Sequence, residues 1–202
     1  MMNKPYSQAC ENNKRPILDI LTKAFSNTEH VLEIGSGTGQ HAAFFSQQLP
    51  HLTWQTSDLS INHQSINLWL DEATWENVER PIVIDLNKPW LMPKSDKRID
   101  GLFTANTLHI ISWPLVVKFF EGIAQNLTAG AHVCLYGPFN YQGKFTSESN
   151  ASFDIHLKER DEKSGIRDIE AILLLANEAG LNLIDDHEMP ANNRLLVFSK
   201  LM

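Results

Sequence analysis

Short apolar runs and longer amphipathic stretches alternate along this chain. Val31, Leu32 and Ile34 form the first run, and the pattern predicts a strand over His30–Ile34. Further strands are predicted at Leu52–Thr56, Ile82–Ile84, Gly101–Thr104 and His132–Tyr136. Helical spacing marks Ile17 to Phe25 instead, where Ile17, Leu18, Leu21 and Phe25 share a face and Pro16 suits a first helical turn. Residues 40–49, 62–73 and 114–127 also read as helices, as does 167–179, which stops at Gly180. Leu183–Ile184 and Leu195–Phe198 read as the closing strands. Strands alternating with helices of this length imply crossover units, hence an α/β chain with a mostly parallel sheet covered on both faces. Residues 137–165 carry no clear period and are rich in Asn, Ser, Phe and charge. Such a stretch inside a compact domain points to a lid over a site.

Composition narrows the picture. A chain of 202 residues that is 43% hydrophobic suits one domain over 1–202 with a sizeable core, residues 1–29 forming an N-terminal helical segment. The net charge of −7 and the scattered Lys and Arg argue against a nucleic-acid partner, which needs clustered cations. Polar residues near the start (Lys4, Gln8, Glu11) resemble no secretory leader, and no apolar run spans a bilayer. The expectation is a cytoplasmic protein with a small-molecule partner and no membrane contact; oligomeric state is left open. The eight histidines do not group with Cys or carboxylates at ligand spacing, so no metal site is expected. Cys134 reads as a buried strand residue and Cys10 as incidental.

The chemistry concentrates after the first strand. Gly35, Gly37 and Gly39 alternate with Ser36 and Thr38, then a helix opens at Gln40-His41-Ala42. Such glycines let the backbone turn sharply and a ligand lie against it, beside the unpaired N–H groups of a helix start. A P-loop would need Gly-Lys-Ser/Thr, whereas Gln40 and His41 follow Gly39. A dinucleotide fingerprint would need glycine where Gln40 stands. S-adenosyl-L-methionine fits better: Glu33 precedes the loop, and Asp58-Leu59 ends the second strand about twenty residues on, where ribose hydroxyls need a carboxylate. Asp85-Leu86 ends the third strand, placed either for adenine or simply to cap the next helix.

These features together resemble the Rossmann-like class I S-adenosylmethionine-dependent methyltransferases. A narrower resemblance, to a methyltransferase-like family of unknown substrate found in bacteria and animals, rests on motifs spread along the chain. They are Glu11–Leu18, Ser36–Ala42, Trp54–Asp58, Tyr136-Gly137-Pro138, Ser149-Asn150 with Phe153-Asp154, Gly165–Asp168 and Met189–Asn193. Asn12 and Ser164 depart from its pattern, where Arg and an aromatic are expected. The resemblance implies a single-domain fold with a seven-stranded, mostly parallel sheet whose last strand is antiparallel.

Methyl transfer needs the acceptor, methyl carbon and sulfur held in line, and a base only if the acceptor arrives protonated. Asn106 and His109, just past the fourth strand, are the catalytic candidates; each has a bland alternative as loop tie or helix cap. Asn13 and Asn106 join Glu33, Gly35, Ser36, Gly37, Gly39, Asp58, Leu59, Asp85 and Leu86 as cofactor candidates. Gln40, His41, Tyr136, Phe139, Asn140, Asn150 and Asn193 are the acceptor candidates. Asn192 and Asn193 beside Arg194 offer a grip for a carboxylate, and Arg167 with Asp168 reads as a structural ion pair. The expected activity is methylation of a small polar or carboxylated metabolite, the alternative a non-catalytic module that binds the cofactor.

Overall fold

Each central strand sends alternate side chains to opposite faces of one sheet, and both faces are apolar. In β1 (His30–Ile34), Val31 points to one face and Leu32 to the other; in β4 (Gly101–Ala105), Phe103 and Leu102 do the same. A computed structural model describes residues 4–92 and 98–201. Its other strands are β2 (Thr53–Asp58), β3 (Val78–Val83), β5 (His132–Gly137), β6 (Phe139–Asn140), β7 (Arg167–Asp168), β8 (Leu181–Met189) and β9 (Asn193–Lys200). The helices are α1 (Gln8–Ala24), α2 (Gln40–Gln48), α3 (His63–Leu70), α4 (Trp113–Asn126), α5 (Glu148–Arg160) and α6 (Ile169–Glu178).

Seven strands form the sheet in the order β3-β2-β1-β4-β5-β9-β8, parallel except for β9, which runs against both its neighbours. This is the class I methyltransferase fold. Chain order reverses between β1 and β4, and the crevice beyond the carboxyl ends of those strands is where such sheets bind ligands. On one face α4 and α6 bring Val116, Phe119, Ile123 and Ile172 against Leu32, Leu102, Leu135 and Phe198. On the other, α1, α2 and α3 bring Ile17, Leu21, Phe45 and Ile66 against Val31, Trp54, Phe103 and Val197. Cys134 is fully buried on this second face, as expected from its place in a strand. Among the described residues no helix is long and apolar enough to cross a membrane.

Two helices differ from the sequence expectation, for one reason. Helix α1 starts at Gln8, so Pro16 lies inside it; Ser7 caps it, its Oγ accepting the Cys10 N–H at 3.3 Å. Helix α5 occupies the middle of the stretch that showed no period. The residue that α1 buries ahead of Pro16 is Asn13, and α5 buries Asn150 and Asp154 with Leu157, so both buried stripes are largely polar where hydrophobic spacing is the signal. Strand β3 also sits earlier than Ile82–Ile84, leaving Asp85 in the following loop.

Candidate functional site

The glycine loop is held from below. Gly35 and Ser36 N–H both donate to the Ser57 carbonyl, at 3.1 and 2.9 Å. Gly39 adopts φ +89°, and a Cβ there would stand 2.9 Å from the Ile66 Cα, so α2 and α3 meet only because the position is bare. Glu33 is 2% exposed and does not face a ligand space. Its carboxyl accepts the Ser36 hydroxyl at 2.8 Å and the Trp54 indole N–H at 3.1 Å. Burial pushes Glu33 up to about 7, against those two donors and with the Asp58 charge adding to the rise. Glu33 therefore braces the loop from the core, where it was expected beside the cofactor.

Above the loop lies a cleft of about 910 Å³. One end is walled by Gly35, Ser36, Gly37 and Thr38 with Asp58 and Asn62. Asp58 Oδ2 accepts the Gly37 N–H at 2.8 Å, and Oδ1 accepts Leu59 N–H at 2.7 Å and the Asn62 amide at 2.8 Å. A carboxylate offers about four acceptor positions, so among the described residues one on Oδ2 has no partner. Helix α1 supplies a second wall, Ser7, Ala9, Cys10, Asn12 and Asn13. Cys10 is thus a wall residue rather than incidental, its thiol pushed up by burial.

Asn13 and His41 meet on the cleft wall, His41 Nε2 and Asn13 Oδ1 being 2.7 Å apart. His41 stacks on Phe45 and is pushed down to about 4 by burial, with the Lys14 charge adding to the fall against the Cys10 carbonyl, so it is neutral at pH 7. Gln40 does not itself line the cleft; its Oε1 accepts the N–H of the wall residue Ser7 and its Nε2 donates to the Ser7 carbonyl at 3.3 Å. It clamps the start of α1 to the glycine loop, behind the wall residue Ser7.

The remaining walls come from β4, β5, α5 and the β8–β9 turn. Asn106 holds φ 56°, a left-handed conformation that non-glycine residues seldom adopt, and its N–H donates to the Tyr136 carbonyl at 2.8 Å. Among the described residues nothing hydrogen-bonds the Asn106 side-chain amide, which lines the cleft. His109 is 4% exposed and packs edge-on to Phe153 at 5.5 Å, with no hydrogen bond from either ring nitrogen to a described residue. Burial, helped by the nearby Arg167 charge, pushes it down to about 4. Tyr136 lines the floor beside Asn13, its hydroxyl pushed up by burial. Asn150 ties α5 to the β8–β9 turn, donating to the Asn192 carbonyl at 3.0 Å, and the next residue, Asn193, also lines the cleft while its amide donates to the Pro190 carbonyl at 3.0 Å.

Several sequence candidates fall elsewhere. Phe139 is 2% exposed in the core, and Asn140 is buried next to it in β6 with Oδ1 unpartnered; neither lines the cleft. Asp85 turns to its own loop, accepting the Asn87 N–H at 3.0 Å and pairing with Lys88 at 3.4 Å, and Leu86 packs toward Trp90. Leu59 lies beside the cleft, half-exposed, and Gly39 shapes the loop from behind. Arg194 is taken up by Asp186 at 2.7 Å and Glu188 at 3.2 Å, so it offers no grip for a ligand. Arg167 bonds the carbonyls of Leu108, Ile111 and Lys163 rather than Asp168. The sequence reading also passed over Thr38, Asn62, Ile110, Ile111 and Arg160, all cleft-lining. Asn62 was legible four residues beyond Asp58, one helical turn away; the others carry no local signal.

Residues 4–200 match the family described as "Protein of unknown function (DUF938)". The chain belongs to that family. Solved structures share its fold at low identity. An O-methyltransferase family 2 protein from Planctomyces limnophilus, in complex with apigenin, superposes with TM-score 0.80 at 17% identity over 96% of this chain and 58% of its own. An O-methyltransferase family protein from Burkholderia thailandensis gives 0.78 at 16% over 93% and 56%. NcsB1, an O-methyltransferase from neocarzinostatin biosynthesis bound to S-adenosylmethionine and 2-hydroxy-5-methyl naphthoic acid, gives 0.76 at 16% over 96% and 55%. This chain therefore spans little more than half the length of each.

Proposed function

We propose that the protein is an S-adenosylmethionine-dependent methyltransferase acting on a small polar metabolite through a hydroxyl or amine. The observation that carries the reading is Asp58, which lines a cleft whose adjoining wall is the glycine loop and whose Oδ2 accepts one hydrogen bond among the described residues. The residues present fit the cofactor. Asp58 with Asn62 would hold the ribose hydroxyls, Gly35–Thr38 would border the methionyl portion, and half-exposed Leu59 would pack on adenine. Asn13, fixed by His41, would meet the methionine end. When bound, the cofactor supplies a methyl carbon already activated by a sulfonium.

The rest falls to the chain. Asn106, whose amide has no hydrogen-bond partner among the described residues, orients the acceptor. His109 stays neutral at pH 7, and among the described residues nothing hydrogen-bonds its ring nitrogens, so one of them can take the acceptor's proton. Ile110, Ile111 and Phe153 give this part of the cleft an apolar wall. Methylation by proteins of the same fold, NcsB1 among them, supports the assignment. The test uses methyl-labelled S-adenosylmethionine and the small-molecule fraction of a cell extract. Transfer that falls about 10²–10⁴-fold in His109→Asn, with cofactor affinity kept, supports the reading. Cofactor binding without transfer to any fraction would leave the non-catalytic module in its place.

A further inference from the structure

We propose that the methyl acceptor is a small organic anion and that Arg160 is the residue that selects it; this rests on the methyltransferase reading above. Helix α5 turns one stripe toward the cleft, running Ser149, Asn150, Phe153 and, two turns on, Arg160. Arg160 is exposed and lines the cleft, yet it makes no hydrogen bond, ion pair or ring contact with any described residue. A basic residue in a helix's last turn commonly answers the C-terminal carbonyls. Arg160 bonds none of them; the Arg167 guanidinium takes the Lys163 carbonyl just beyond the helix.

The charge pattern gives that free guanidinium a meaning. The chain carries a net charge of −7, but among the cleft-lining residues Asp58 is the acid, at the cofactor end, and Arg160 the base, on the α5 side. His41 and His109 are neutral at pH 7. Among the described residues the acceptor half therefore presents one fixed cation and no anion. The neighbouring acid Asp161 is engaged by the Lys163 N–H at 2.9 Å and does not line the cleft.

Geometry sets a size. Phe153 touches His109, and Arg160 lies seven residues further along the same helix, about 10 Å of rise. Helical side chains lean toward the N-terminus, which brings the guanidinium back toward Phe153. An acceptor that fits has its methylated group and its anionic group roughly 5–8 Å apart. Guanidinium binds carboxylate and phosphate alike, and both are admitted.

The experiment passes the small-molecule extract over a strong anion exchanger and methylates the flow-through and the retained fraction separately with the full-length protein. Label in the retained fraction, with Arg160→Gln raising KM for that fraction about ten-fold and Arg160→Lys restoring part of it, supports the proposal. A loss carried by KM is the mark of a contact present equally before and during transfer. Phosphatase treatment beforehand separates the sources: label that survives identifies a carboxylate, label that vanishes a phosphate. Label confined to the flow-through, or a KM unchanged in Arg160→Gln, overturns the proposal. No label in either fraction overturns it too, while calorimetric binding of S-adenosylmethionine tests the cofactor half independently.

Discussion

Replacing Glu33 by Gln separates a brace for the loop from a ligand-binding acid. In the fold this carboxyl is buried under the glycine loop and pushed up to about 7, from an ordinary value of 4.5 in the unfolded chain. The native state then holds the proton more tightly than the unfolded state. The stabilising contribution is whole below about pH 4.5 and is lost as pH rises through 7, a difference of roughly 3 kcal/mol. Gln keeps a carbonyl oxygen for Trp54 and Ser36 and cannot ionise. His41 and His109 act in the opposite sense, both pushed down to about 4, so their contribution is present above pH 6.5 and lost as pH falls toward 4. They are common to both proteins and cancel in the comparison. Urea unfolding at pH 5, 6.5 and 8 should show Glu33→Gln gaining on the parent by about 2.5 kcal/mol over the range. Cofactor affinity should stay within about two-fold at each pH, because Glu33 does not reach the cleft. Parallel stability profiles, or a ten-fold loss of affinity, would refute the reasoning.

Other outcomes rest on single contacts. Gly39→Ala, which would place a Cβ 2.9 Å from the Ile66 backbone at φ +89°, should cost about 2–4 kcal/mol and lower Tm in calorimetry. Gln40→Ala should release Ser7, speed amide exchange over residues 7–11 and weaken cofactor binding about three- to ten-fold, with little change in global stability. Because burial keeps His109 neutral down to about 4, kcat should be level from pH 8 to about 6; a fall centred near 6.5 would contradict that burial.

The hydrophobic pattern carried the sheet and the helices that cover it, because Val31, Leu32, Phe103, Val133 and Leu135 record both buried faces directly. The glycine loop and Asp58 were legible for a different reason: backbone shape and a strand-end carboxylate are local properties. What was lost lies in the helices that wall the cleft. The start of α1 and the whole of α5 bury Asn13, Asn150 and Asp154, amide and carboxylate groups whose burial is offset by tertiary hydrogen bonds. Such partners come from distant segments, so spacing along the chain does not reveal them. The placement of Glu33 and Gln40 was hidden for a related reason. Both stand beside the loop in sequence, but their side chains turn to Trp54 and Ser7, partners from other segments.

Isothermal titration of the full-length protein with S-adenosylmethionine and with its demethylated product tests the central claim most directly. The account predicts saturable one-to-one binding of both, with affinity reduced at least ten-fold in Asp58→Ala and nearly unchanged in Glu33→Gln. Absence of heat for both ligands up to millimolar concentration, or equal binding by Asp58→Ala, would contradict it.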